Sequence, residues 1–169
     1  MTEPLGSLVL AECKRHLFQE SLPRLKKCLS ELSEEEIWYR PNSETVSAGN
    51  LVLHLCGNVR QWIVSTLGRT ADNRKRQTEF DERGPIPTSE LLERLESTLA
   101  DAESVIDKLE HEALTGIHRV QGMEETGVAI LIHVVEHFSY HTGQISYIAK
   151  SNHGIDLEYY KDVDLEKRG

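Results

Sequence analysis

The sequence has few cysteines, and those it has are not arranged for cross-links or for a thiolate zinc site. Only three cysteines occur among 169 residues, and no Cys-x-x-Cys pair is present, so a zinc site built on thiolates is not expected. An odd number of cysteines at scattered positions also argues against a disulfide framework. Stability must come from a hydrophobic core, which a chain of this length can bury.

Excess basic charge and long apolar runs are also missing. Nineteen basic residues against 28 acidic ones give a formal net charge of −9, so general nucleic-acid binding, which needs a basic face, is not expected. No apolar run approaches the roughly 20 residues of a membrane span. The first residues lack the basic stretch and apolar run of a secretory signal, and we expect a cytoplasmic protein.

The sequence does contain strong helical periodicity. Apolar residues recur at three- and four-residue spacing in four long segments, which are predicted to be helices. The segments are approximately residues 7–29, 47–67, 88–109 and 126–150. Pro23 should kink the first of them. No alternating pattern predicts a strand, so residues 69–87 are interpreted as a solvated polar loop and residues 111–125 as a glycine-containing crossover.

Inward-facing histidines are the most distinctive chemical feature. His133, His137 and His141 occupy successive turns of the last predicted helix and share its apolar face, within about 40° of His137 on either side. An imidazole inside a bundle needs a hydrogen-bond partner or an ion. His54 occupies the inward face of the second predicted helix. Together these positions predict a metal site built from His54 and one i,i+4 histidine pair.

The residues alone leave the choice of pair open. His137 and His141 are one pair; His133 and His137 are the other, and with Glu136 they spell the inverted zincin pattern, in which the glutamate is the general base. Three imidazoles plus water would leave the open position of a catalytic site. We find no inward-facing carboxylate to serve as a base. A closed, non-enzymatic metal-binding or dimerisation module is the alternative.

Three further residues are candidates for supporting roles. Asn58 lies one turn beyond His54, and Gln144 lies about one turn beyond His141, so both could orient ligands, bound water or substrate. Arg15 falls on the inward stripe of the first helix and could meet a substrate carboxylate. The alternatives are ordinary interior hydrogen bonds for the two amides and a structural ion pair for Arg15.

Two segments resemble the ligand motifs of the DinB/YfiT-like superfamily. They are residues 47–63, which contain His54, and the run His137-x-x-x-His141-Thr-Gly-Gln-Ile. The resemblance covers about residues 7–150 and implies an all-α, up-down-down-up four-helix bundle with His54, His137 and His141 as metal ligands. His133 matches no ligand position. We expect one domain over residues 1–155 and a C-terminal tail over residues 156–169.

The resemblance also implies a type of chemistry. It implies nickel or zinc as the divalent metal, frequent homodimers and small-molecule substrates, including low-molecular-weight thiols. Characterised relatives are transferases that use bacillithiol or mycothiol and a mycothiol-dependent isomerase, although this chain is most similar to an uncharacterised branch. We therefore expect a metal-dependent enzyme, with thiol S-transfer as the main hypothesis and metal-dependent hydrolysis or non-enzymatic metal binding as alternatives.

Overall fold

The computed structural model describes residues 4–168 and is mostly helical. Its helices are α1 (Leu5–Lys14), α2 (Leu22–Ser30), α3 (Glu34–Trp38), α4 (Ala48–Val59), α5 (Arg76–Asp81), α6 (Thr88–Ile106), α7 (His111–Thr115) and α8 (Gly127–His153), and its strands are β1 (Ile117–Val120) and β2 (Met123–Thr126). π-Helical segments join α1 to α2 (Arg15–Ser21) and extend α4 (Arg60–Leu67). The first long helix therefore comprises α1 and α2, the second α4 with its extension, the third α6 and the fourth α8.

Side-chain caps define the starts of the two helices that carry the histidines. Ser47 precedes α4, and its hydroxyl accepts from the backbone N–H of Asn50 while Asn50 bonds back, a reciprocal capping box. Thr126 accepts from the N–H of Ala129 at the start of α8. Such caps satisfy backbone donors that have no partner inside the helix. Gly154, with φ of 62°, ends α8 in the left-handed conformation that favours glycine.

Paired contacts establish the relative directions of the four long helices. They are Lys14–Asp107 and Lys26–Glu96 between the first and third, Arg60–Asp101 and Gly68–Val105 between the second and third, and His54–His137 and Asn58–His133 between the second and fourth. In the first–third and second–fourth pairs of helices, residue numbers rise along one helix as they fall along the other, so these pairs are antiparallel. In the second–third pair the numbers rise together, so this pair is parallel. The topology is therefore up-down-down-up, and the predicted all-α bundle is confirmed.

Apolar side chains from all four long helices fill the centre of the bundle. Leu17, Leu55, Leu95, Ile130 and Phe138 are fully buried, and each such side chain contributes about 1.5–3 kcal/mol relative to exposure. No helix among the described residues is long and apolar enough to cross a membrane.

The interpretation of residues 69–87 as a solvated loop holds for most of the segment, whose side chains are largely exposed, but is wrong for residues 76–81. The segment contains α5, and the Asn50 side-chain amide donates to the backbone carbonyls of Glu79 and Glu82, each at 2.9 Å. Arg40 donates to the carbonyl of Phe80 at 2.7 Å. Because Asn50 is fully buried and also caps α4, these bonds hold the segment firmly against the second long helix.

The glycine-containing crossover predicted over residues 111–125 does connect the third and fourth long helices, but it contains regular structure that was not predicted. This part of the chain contains α7 and an antiparallel β1–β2 hairpin, in which Val120 pairs with Met123. Gln121 and Gly122 form the two-residue turn with φ values of 51° and 80°, the positive angles that tight hairpins require. The strands were missed because each has only four residues and only Val120 is buried.

The C-terminal segment begins with contacts to the bundle. Leu157 is 2% exposed and belongs to the core, and the Tyr159 hydroxyl lies 2.8 Å from both Cys28 Sγ and Ser146 Oγ. The domain boundary at residue 155 stays a prediction, and residues 1–3 and 169 of the predicted domain and tail lie outside the described residues.

Candidate metal centre

Three histidines converge between the second and fourth long helices. One ring nitrogen from each of His54, His137 and His141 lies within 4.8 Å of the other two, and the Nε2 atoms of His54 and His137 are 2.9 Å apart. Two nitrogens bound at about 2.0–2.1 Å to one tetrahedral ion would be separated by about 3.4 Å. Small side-chain adjustments would therefore allow the three imidazoles to bind one divalent ion.

The backbone explains this convergence. His54 lies two turns after the capping box of α4, and His137 and His141 lie on consecutive turns of α8. Residues four apart on a helix project from the same face. Since α4 and α8 pack together through these faces, the His137–His141 pair faces His54, whose ring centroid is 4.9 Å and 5.1 Å from theirs.

A buried carboxylate holds the outer side of His54. The Nδ1 atom of His54 donates to Glu79 Oε2 at 2.8 Å. Arg74 donates to both oxygens of the same carboxylate, at 2.8 and 2.9 Å. The side chains of Arg74 and Glu79 are only 5% and 10% exposed. Burial alone would raise the pKa of Glu79, but the hydrogen bonds and charges of Arg74 and His54 outweigh burial and lower it.

Gly57 provides the space for this ion pair. It lies three residues after His54, on the side of α4 where Glu79 and Arg74 approach. A Cβ at position 57 would collide with Glu79 Oε1 and lie 2.9 Å from Arg74 Nε. Glycine destabilises a helix interior relative to alanine, so its presence here is explained by the close approach of the carboxylate.

Hydrogen bonds also determine which nitrogens remain free for an ion. His141 Nδ1 donates to Gln144 Oε1 at 2.6 Å, as His54 Nδ1 donates to Glu79. In a neutral imidazole, the nitrogen that is not the donor carries a lone pair. The Nε2 atoms of His54 and His141 are therefore available as ligands, which is the usual role of a second hydrogen bond to a metal-binding histidine.

His133 lies beside the three-histidine group but is not part of it. Its ring stacks on Trp62 with a centroid distance of 3.8 Å, and its Nε2 accepts from the Asn58 amide at 3.3 Å. Glu136, the base of the inverted zincin alternative, is exposed. Among the described residues, the buried Asn58 Oδ1 atom has no hydrogen-bond partner. The structure thus brings His141, rather than His133, together with His54 and His137.

Burial favours the uncharged form of His133, His137 and His141. It lowers the pKa of His137 to about 3, and the repulsion of a protonated His137 by protonated His141, His54 and His133 and by Arg74 adds to this effect. Burial is also the largest cause of the lowered pKa values of His133 and His141. The neutral imidazole is the form that binds metals. Metal binding at pH 7 therefore costs little free energy for removing protons from these rings.

Arg15 is not brought to the histidines. Its guanidinium bonds to Glu12 and Glu20, and it also contacts His16 in its own helix. Its side chain is 41% exposed. These contacts match the structural ion pair that was the alternative to capture of a substrate carboxylate.

The sequence interpretation missed the residues that surround His54 from the polar segment. Besides Glu79 and Arg74, the Phe80 ring lies 4.7 Å from the His54 ring, measured between centroids. The expectation of no inward carboxylate is therefore incorrect, since Glu79 reaches the site from α5. Gly57 was the one available signal, because a glycine inside a helix, one turn after an inward histidine, indicates close approach by another group.

Comparison with known proteins agrees with this architecture. The family model for mycothiol S-transferases matches residues 14–152. A conserved protein from Enterococcus faecalis has a similar structure, with a TM-score of 0.70, 16% identity, and coverage of 91% of this chain and 100% of the other. A DinB-like protein from Bacillus subtilis also has a similar structure, with a TM-score of 0.65, 15% identity, and coverage of 90% of this chain and 97% of the other. No curated protein matches the sequence. The DinB/YfiT-like resemblance is confirmed.

Proposed function

Because the chain belongs to the mycothiol S-transferase family, we propose that it is a metal-dependent enzyme that transfers a low-molecular-weight thiol to an electrophile. The observation that carries the proposal is the convergence of one nitrogen each from His54, His137 and His141 within 4.8 Å. The family match supports the thiol as substrate, and the three converging imidazoles support the metal.

The three histidines would hold nickel or zinc. Imidazole nitrogens suit both metals, and three protein ligands leave room for a further one. When bound, the ion supplies positive charge that lowers the pKa of a coordinated thiol and makes the thiolate available at neutral pH. The sulfur then forms a bond to an electrophilic carbon, the leaving group departs with its electron pair, and the thiol proton passes to solvent.

The surrounding side chains would orient the ligands and limit access of water. Glu79 holds the His54 ring through Nδ1, and Gln144 does the same for His141. Phe80 covers one side of His54, while Trp62 stacks on neighbouring His133. Apolar walls lower the local dielectric constant and strengthen the attraction between a cation and a thiolate.

Metal-dependent hydrolysis has less support. That reaction needs a general base to activate water, and the carboxylate beside the histidines is already fully engaged. Both oxygens of Glu79 accept hydrogen bonds, from Arg74 and from His54. A homodimer remains a prediction from the family resemblance, and a cytoplasmic location remains a prediction from the cysteine usage and the first residues of the sequence. A non-enzymatic metal-binding module remains the second alternative.

The function can be tested with untagged protein loaded with zinc or nickel. Chlorodinitrobenzene is the electrophile, and mycothiol, bacillithiol, glutathione and cysteine are supplied in separate reactions. We expect metal-dependent transfer with at least one thiol, and its loss in His54→Ala but not in the control His16→Ala, which changes a part-exposed histidine of the first long helix. Metal binding without transfer, or ester hydrolysis that needs no thiol, would contradict the proposal.

A further inference from the structure

A large groove runs along the surface beside the candidate metal centre. Its volume is about 770 Å³, within the range of sites that bind small organic molecules. It lies between α8 on one side and the segment that connects α3 to α4 on the other. We call it the α8 groove, and its walls include Tyr39, Val46, Leu51, Tyr140, Gly143 and Tyr147.

One face of α8 forms a whole wall of the groove. Tyr140, Gly143, Gln144, Tyr147 and Ile148 follow one another at spacings of three, one, three and one residues, which places them on one side of a helix. Tyr140 and Tyr147 are 63% and 73% exposed. Gly143 lies between them, and a Cβ there would meet nothing within 4 Å. Exposed aromatic side chains around a concavity are typical of ligand sites.

The charge of the groove restricts what can bind. Glu36 and Glu44 line it, and no lysine or arginine does so among the described residues of its walls. Glu36 is engaged by Ser33 and by His153, whereas Glu44 is exposed. An anion would meet this negative charge without a compensating cation, so an uncharged or cationic ligand is favoured.

The groove adjoins one of the candidate metal ligands, His141, through its α8 wall. Gln144 lines the groove and accepts the hydrogen bond from His141 Nδ1. The Tyr140 ring contacts the His141 ring with a centroid distance of 5.1 Å. On the opposite wall, Leu51 precedes His54 by one turn of α4. A molecule lying in the groove would therefore have one end beside the metal ligands.

We propose that the α8 groove binds the apolar body of an uncharged electrophilic co-substrate. This inference rests on the proposed transferase function and names the class of acceptor. For an aryl chloride, the thiolate sulfur forms a bond to the ring carbon, the carbon–chlorine bond breaks, chloride leaves with the bonding electrons, and the thiol proton goes to solvent. The aromatic ring lies between the tyrosine side chains, and an acceptor with a carboxylate binds poorly.

Position 143 gives a matched pair of variants. Gly143→Phe places a large ring in the groove at a site with open space, while Gly143→Ala changes the same helix position without filling it. Dinitrobenzene, which lacks a leaving group, serves as the binding probe, measured by isothermal titration calorimetry on the metal-loaded protein. Transfer is measured with chlorodinitrobenzene and with the anionic chloronitrobenzoate, and metal content is determined for each variant.

We expect Gly143→Phe to weaken dinitrobenzene binding and raise the KM for chlorodinitrobenzene by about ten-fold or more, with metal content and the KM for the thiol unchanged. Gly143→Ala, which adds only a methyl group, should have a much smaller effect than Gly143→Phe, and chloronitrobenzoate should have the higher KM of the two acceptors. Equal binding in both variants would overturn the proposal. So would a change from dimer to monomer in Gly143→Phe without any probe binding, which would identify the groove as a subunit interface.

The two proposals fail in different ways. If no thiol is transferred but dinitrobenzene still binds and Gly143→Phe weakens that binding, the groove is a ligand site and the transferase function is wrong. If transfer occurs but is indifferent to Gly143→Phe, the function stands and the acceptor binds elsewhere.

Discussion

The imidazole of His54 and the carboxylate of Glu79 form a hydrogen bond of 2.8 Å between the second long helix and α5, and both side chains are at least nine-tenths buried. Their positions are 25 residues apart in the chain. Arg74 neutralises the carboxylate, so the pair does not leave an isolated charge in the interior. The orientation of one candidate metal ligand thus depends on a segment outside the four long helices.

Removing the Glu79 carboxylate should weaken metal binding. We expect Glu79→Gln to lower the affinity for zinc by roughly 10–100-fold, the usual effect of losing such a partner. The glutamine amide is uncharged and has one acceptor oxygen instead of two, so it cannot replace the hydrogen bonds that the carboxylate accepts from both Arg74 and His54. Competition with a chromogenic chelator measures the affinity. The control is Glu82→Gln, which changes a neighbouring carboxylate outside the histidine group. Equal affinities for the two variants would show that Glu79 does not support the site.

Filling the space at Gly57 should destabilise the protein. Gly57→Ala introduces a methyl group against the Glu79 carboxylate, and we expect a loss of about 1–3 kcal/mol in the free energy of unfolding. The matched control is Gly143→Ala, where the added methyl meets open space and better helix propensity should stabilise by about 0.5–1 kcal/mol. Urea unfolding measures both. A stabilising effect of Gly57→Ala would mean that Glu79 does not approach α4 as described.

Acid should destabilise the metal-free protein partly through His137. The pKa of His137 is about 3 in the folded chain against an ordinary value of 6.5. Between these pH values the unfolded chain binds more protons, so the free energy of unfolding falls as pH falls from about 6.5 towards 3. In the variant His137→Gln, the loss of stability between pH 7 and pH 4 should be smaller. Chelator-treated samples and urea unfolding test this, and identical pH profiles would contradict the lowered pKa.

The regular parts of this structure could be predicted because their signals are local. Three- and four-residue apolar spacing indicated the four long helices, and the inward positions of His54 and His137 follow from the same periodicity. The third long helix ends at Ile106, three residues before its predicted end near Leu109. Helix ends depend on individual contacts and are less regular than helix faces.

Glu79 could not be predicted in the same way because its burial depends on distant residues. It lies in a segment rich in charges of both signs, where nothing distinguishes it from its exposed neighbour Asp81. Its position is created by Asn50, which holds the backbone of α5, and by the space at Gly57. Periodicity alone likewise left the choice between His133 and His141 open, because it does not provide the direction of α8 relative to α4. His141 was implied only by the family resemblance.

The most direct test of the metal centre is the metal content of single-histidine variants. Untagged protein and the variants His54→Ala, His137→Ala, His141→Ala and His133→Ala are incubated with zinc or nickel, desalted and analysed by mass spectrometry for bound metal. We predict about one ion per chain in the original protein, loss of more than half of it in each of the first three variants, and retention in His133→Ala. Retention in His141→Ala together with loss in His133→Ala would contradict the assignment.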